Sequence, residues 1–138
     1  MNLTVIGVLE TGEPRRPGVP INPRLPITIQ QGTDLTLTVR IVKPDGTQVV
    51  LQAGERAEWA VKKNPTDSPP AILKTALPAD LVLGDPVFYL TPADTKQMSA
   101  GRYTWDVWLT RSVDSFPVRD AVIPQSPLVL EAAVVPVP

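Results

Sequence analysis

Fourteen carboxylates, with neither a histidine nor a cysteine, define the chemistry open to these 138 residues. Two acids facing one another across a sugar ring suffice for a glycosidase, since one protonates the leaving oxygen while the other attacks or activates water. The acids here are not placed for that. Asp34, Asp45, Asp67, Asp85 and Asp114 stand beside turn residues, where a short carboxylate satisfies local backbone donors, and Glu58 and Asp106 fall on outward strand faces. None of the five serines lies in a Gly-x-Ser-x-Gly elbow, and no histidine is present to act as its base. The absence of cysteine removes thiolate nucleophiles, cysteine zinc sites and disulfides. Neither a P-loop nor a Gly-x-Gly-x-x-Gly turn occurs, so no phosphate cradle is implied. Asp80 and Asp85 are oxygen ligands of the kind calcium takes, but without the regular acidic spacing of a calcium loop. The residues therefore point away from an enzyme and away from any cofactor or metal.

Thirteen Lys and Arg against fourteen Asp and Glu leave a net charge of −1, which gives no electrostatic footprint for nucleic acid or an anionic membrane. No stretch approaches the roughly 18 apolar residues of a membrane span. The first ten residues lack the basic region of a signal peptide. Protein surfaces are the partners that remain. Candidate contacts are Arg15, Arg16 and Arg24, together with Trp108.

The elements that must position these residues are strands. Seventeen prolines leave little room for helix. Residues 1 to 26 read as an extended arm: Pro14, Pro17, Pro20, Pro23 and Pro26 recur every third residue, which favours a polyproline-like path. Three placements are open for this segment. Residues 2 to 9 could add a strand to a neighbouring subunit's sheet, the segment could fold back along its own domain as a first edge strand, or it could be a loose tail. If the arm only reaches outward, its removal leaves thermal stability unchanged.

From Ile27 the apolar period is two. Leu35, Leu37, Val39 and Ile41 alternate with polar positions, and Lys43-Pro44-Asp45-Gly46-Thr47 reads as a tight hairpin with residues 47 to 51 returning antiparallel. A third strand turns Trp59 inward. Short strands follow over 72 to 77, 81 to 83 and 87 to 90. Thr91-Pro92-Ala93-Asp94 has the residues of a helix N-terminus and predicts about two turns ending near Gly101. Tyr103, Trp105, Val107 and Leu109 then share one strand face, predicted to meet Trp59 across the core, while Trp108 points the other way. Trp108 is either an interface anchor or a side chain covered by a loop or the arm. A last strand over 127 to 135, flanked by Pro124, Pro136 and Pro138, is expected at a sheet edge. The fold class is all-β, in one domain over residues 27 to 138, with a core that includes Leu37, Val39, Trp59, Tyr103 and Trp105.

Two stretches carry a family likeness. Residues 27 to 39, with an Ile-x-Gln-Gln-Gly-Thr-Asp phrase before a Thr-rich strand and the Pro44-Asp45-Gly46 hairpin, resemble the opening of small immunoglobulin-like structural proteins of tailed bacteriophages. The family's later landmarks are similar to Val61-Lys62-Lys63-Asn64-Pro65 and to the order Leu90-Thr91-Pro92, Thr95, Gly101, Tyr103, Asp106, Leu109. Trp59 and Tyr103-Thr104-Trp105 are also similar to the core tryptophan and tyrosine corner of immunoglobulin domains, with tryptophan where the second core cysteine would stand. The resemblance weakens beyond Arg111, where residues 112 to 127 are rich in proline. It implies an immunoglobulin-like antiparallel sandwich with one short helix and no turnover. It further implies a virion location in the baseplate, tail, neck or head decoration, after synthesis in the host cytoplasm, with other virion proteins and further copies of itself as partners. Two rival readings are a carbohydrate- or receptor-binding module, using Trp108 and the loop at 64 to 70, and an accessory domain of a bacterial surface machine.

Overall fold

In the computed structural model, residues 1–21, 23–64, 66, 69–113 and 115–133 are described. Asp67, Asp114, Pro65 of the Asn-Pro landmark and the expected strand end with Pro136 and Pro138 lie outside them.

Among the described residues, nine strands form two sheets. They are β1 (Asn2–Val8), β2 (Ile27–Gln30), β3 (Leu35–Val42), β4 (Arg56–Lys62), β5 (Ile72–Ala76), β6 (Leu81–Val82), β7 (Asp85–Leu90), β8 (Gly101–Val113) and β9 (Phe116–Glu131). One sheet has the order β1-β3-β7-β6 and the other β2-β9-β8-β4-β5. Two short helical turns complete the chain: a 3-10 turn over Pro78–Asp80 and the helix α1 over Pro92–Gln97. The helix begins at the expected cap but is shorter than two full turns to Gly101. Residues 47 to 51 do not return as a strand. They make one bridge, Val42 to Gln48, flanked by bonds from Lys43 N to the Thr47 carbonyl at 2.9 Å and from Val49 N to the Ile41 carbonyl at 2.8 Å, before the chain crosses to the second sheet.

Period-two patterning decides the inward faces. Leu35, Leu37, Val39 and Ile41 of β3 are buried, as are Ala57, Trp59 and Val61 of β4 and Tyr103, Trp105, Val107 and Leu109 of β8. Trp59 and Trp105 touch edge to face, with ring centroids 6.3 Å apart. They do not meet across the sheets as expected, because β4 and β8 are hydrogen-bonded neighbours and Trp105 stands opposite Val61. The aromatic facing Trp59 from the other sheet is Phe88 of β7, at 6.0 Å. The Trp59 indole N–H has no hydrogen-bond acceptor among the described residues. Leaving such a donor unmade costs about 1–3 kcal/mol, which the burial of the ring must outweigh.

The N-terminal segment does not project as an arm. β1 lies parallel to β3, from Asn2 beside Thr36 to Val8 beside Val42, and Val5, Val8 and Leu9 are core residues. A parallel pair needs a long crossover, and residues 9 to 34 supply it. The crossover runs as a strap along the two sheets. Arg16 N donates to the Pro44 carbonyl at 2.8 Å, and Leu25 N donates to Ser126 Oγ at 3.1 Å. Trp105 Nε1 donates to the Leu25 carbonyl at 3.1 Å. The strap is therefore bonded to the core, and of the open placements the chain takes the one that folds back on its own domain.

The C-terminal region differs too. β9 starts at Phe116 and lies between β2 and β8, so its last residues are interior and not at an edge. Only residues 116 to 127 pair on one side alone, and there an edge strand can do without alternate N–H donors, which accommodates Pro117. Two register shifts break the ladder near Val107, where β9 passes from Ser126 to Ile123 to Ala121 against Trp105, Val107 and Trp108. The first places Pro124 at a bulge. The second lets consecutive Val122 and Ile123 both be buried. Val122 presses on β1 so closely that a Cβ on Gly7 would lie 3.2 Å from it, and any side chain there would have to displace Val122 by a few tenths of an ångström.

Candidate interaction surfaces

Around α1 the two halves of the family likeness meet. Thr91 Oγ1 accepts from Asp94 N at 3.2 Å and the Asp94 carboxylate accepts from Thr91 N at 2.9 Å, closing a capping box that proline at the first helical position favours. This fixes Thr95, fully buried, whose hydroxyl accepts from Gly32 N at 2.9 Å and donates to the Thr33 carbonyl at 2.8 Å. Gln31 Nε2 donates to the Met98 carbonyl at 2.8 Å. Lys74 of β5 reaches Asp94 at 2.8 Å. Partial burial raises the Asp94 carboxyl, but the hydrogen bonds from Lys74 and Thr91 outweigh it and hold the group below the usual carboxylate range. Just beyond, the Tyr103 hydroxyl donates to the Ser99 carbonyl at 2.6 Å, while Lys63 lies over its ring at 4.7 Å. Sequence spacing alone did not reveal Thr95 as the peg between the two motifs.

The outer face of the five-stranded sheet carries Trp108. Its side chain is half-buried, and Arg119 sits over the ring at 4.4 Å. Glu58, Lys62, Asp106 and Gln125 surround it. Glu58 is paired to Arg56 at 3.0 Å, and Arg111 to Asp120 at 3.1 Å. A cation–π contact of this exposure is worth about 0.5–1 kcal/mol. One face of the indole is thus covered by the chain's own arginine.

The three arginines grouped by sequence separate in space. Arg15 is a brace, donating to Glu10 at 2.6 Å and to the Pro20 carbonyl at 2.6 Å. Arg16 lies over the hairpin glycine Gly46, whose φ of 89° is the left-handed value the turn requires. Arg24 is exposed and lines a groove with Leu3, Ile6, Pro20, Ile21 and Leu25. That groove, between β1 and the strap, was not read from the sequence, because no local pattern reports how far two segments lie apart.

Three acids beside turns serve the fold. Asp45 accepts from Thr47 N at 2.8 Å, which together with Thr47 side-chain bonding lowers its pKa. Asp80 accepts from Leu77 N at 2.9 Å. Asp85, buried, is held by both Arg40 nitrogens, at 3.2 and 3.1 Å, and by Gln48 at 2.8 Å. The bond to Asp85 in turn raises the Arg40 pKa. The two candidate calcium ligands are therefore engaged in a turn cap and an ion pair. Among the described residues no three acids cluster to hold a metal, and no helix is long and apolar enough to cross a membrane.

No protein-family model matches the chain, and no curated protein matches it. Among solved structures it is similar to the N-terminal domain of phage TP901-1 ORF48, at 11% identity and a TM-score of 0.48, over 94% of this chain and 98% of that one.

Proposed function

We propose that this chain is a structural component of a bacteriophage virion, an immunoglobulin-like sandwich that works by protein–protein contacts in a symmetric assembly and has no turnover. The observation that carries the reading is the meeting of the family-like motifs around one buried hydroxyl: Gln31-Gly32-Thr33 bonded to Thr95 and Met98 beside the Thr91 cap. Motifs of that kind are structural pegs, which suits a protein whose use is its shape. Strand order supports the immunoglobulin-like part. β3, β7 and β6 adjoin as B, E and D do in that fold, and β4, β8 and β9 as C, F and G do. The Tyr103–Ser99 bond has the form of its tyrosine corner. A parallel β1 is this chain's own departure. Baseplate, tail, neck and head surface are all compatible sites, with other virion proteins and further copies of this chain as partners.

Electron microscopy of purified particles with a labelled antibody to the chain tests the proposal. The expected result is label at one fixed, symmetry-repeated position. Particles that are complete and infective without the protein would overturn it.

A further inference from the structure

Beyond Thr110, where pairing with β4 ends, β8 and β9 continue alone as a two-stranded ribbon to Val113 and Phe116. Phe116 is 72% exposed and Val113 39%, an apolar tip on a stiff hydrogen-bonded stalk. The groove between β1 and the strap is the converse: concave, walled by Leu3, Pro20, Pro23 and Leu25, with Ile21 71% and Ile6 40% exposed. Its one charged lining residue among the described residues is Arg24, a partner that an aromatic ring accepts. Three other concave surfaces among the described residues are lined with ions: Lys74 and Asp80, Lys63 and Asp94, or Glu58, Lys62, Asp106 and Arg119. Of these four, the β1–strap groove matches an uncharged ring best. Within one chain neither surface covers the other.

We infer that the Phe116 tip of one copy seats in the β1–strap groove of the next, against Ile6, Ile21 and Arg24. This is a head-to-tail contact, which closes as a ring or continues as a fibre according to the rotation between copies. It deepens the assembly reading by naming the partner as a second copy of this chain. Because the contact is tested on purified protein, its failure leaves the localisation experiment untouched.

The chain has no cysteine, so single cysteines report contacts without background. Ser115→Cys and Thr4→Cys chains, which keep Phe116, Ile6, Ile21 and Arg24 and place the thiols beside the tip and in the groove, are mixed in equal amounts under mild oxidation, with exposed Leu83→Cys as the control for random collision. The expected product is the mixed Ser115→Cys/Thr4→Cys disulfide, in excess over both same-variant dimers. Predominant Thr4→Cys pairs, predominant Ser115→Cys pairs, or yields no higher than with Leu83→Cys would each overturn the inference. In sedimentation of the cysteine-free chain, Phe116→Asp should weaken self-association about thirtyfold, the scale of a lost hot-spot aromatic. Unchanged association would count against it equally.

Discussion

Residues 10 to 26 and the distal hairpin, residues 110 to 119, both mix proline with arginine, and in both regular pairing with a second strand is denied on at least one side. The strap nevertheless belongs to the core: its Leu25 carbonyl takes the Trp105 indole N–H, and Leu25 N is satisfied by Ser126, itself buried. Among the described residues the hairpin tip pairs with no further strand, and Phe116 is left in solvent. Proline content does not separate the two. What does is whether a buried polar group elsewhere needs the segment's backbone, since an unmet donor in the core costs more than ordering a short loop saves.

That contrast can be broken at several points. Deleting residues 1 to 26 has the largest expected effect, because Val5, Val8 and Leu9 leave the core at about 1.5–3 kcal/mol each. The total rivals the about 5–15 kcal/mol stability of a whole domain, so calorimetry should show no cooperative transition. A truncated chain melting like the parent would restore the outward-reaching arm. Trp59→Ala calibrates the core itself and should cost about 3–5 kcal/mol in urea unfolding. A cost near zero would mean the indole is not packed between Trp105 and Phe88.

Ser126→Ala isolates the strap's anchorage. It leaves Leu25 N without its acceptor and should cost about 1–3 kcal/mol; an effect no larger than that of an exposed serine would show the anchor to be dispensable. Asp94 gives a pH-dependent test. Its folded pKa is lowered, so its contribution is complete above the unfolded value of about 3.9 and is lost as pH falls through the folded value. Asp94→Asn should therefore lower the melting midpoint near neutrality by the equivalent of about 0.3–1.5 kcal/mol, with the gap to the parent closing in acid. A gap that widens in acid would reverse the sign. Smallest of all, Phe116→Ser at the hairpin tip should change stability by less than about 0.5 kcal/mol. A larger loss in the monomer would place Phe116 in the fold and not at a free surface.

The strands most legible in the sequence were those with uninterrupted alternation. Leu35 to Ile41 and Tyr103 to Leu109 bury every second residue, as the pattern predicts. The Thr91 cap and the Pro44-Asp45-Gly46 turn were equally local, since both are written in side chains that bond their own backbone. β9 was not legible, because its bulges shift the period at Val122 and Ile123, and its prolines look like breakers until the unpaired side is known. Of the candidate surface residues, Trp108 does face outward, but Arg119 over its ring could not be foreseen from strands whose register was unknown. Phe116 went unnoticed for the same reason.

Composition and short-range spacing by themselves determined an all-β body, the inward sides of its main strands and the absence of thiol and imidazole chemistry, because those depend on residue type and on a repeat of two. Which strands adjoin was decided only in three dimensions. It put Trp59 and Trp105 in one sheet, set Phe88 against them and drew Leu25 to an indole 80 residues away. Contacts at such separations follow from the joint satisfaction of packing and buried donors, a property of the whole chain that no window of neighbouring residues contains.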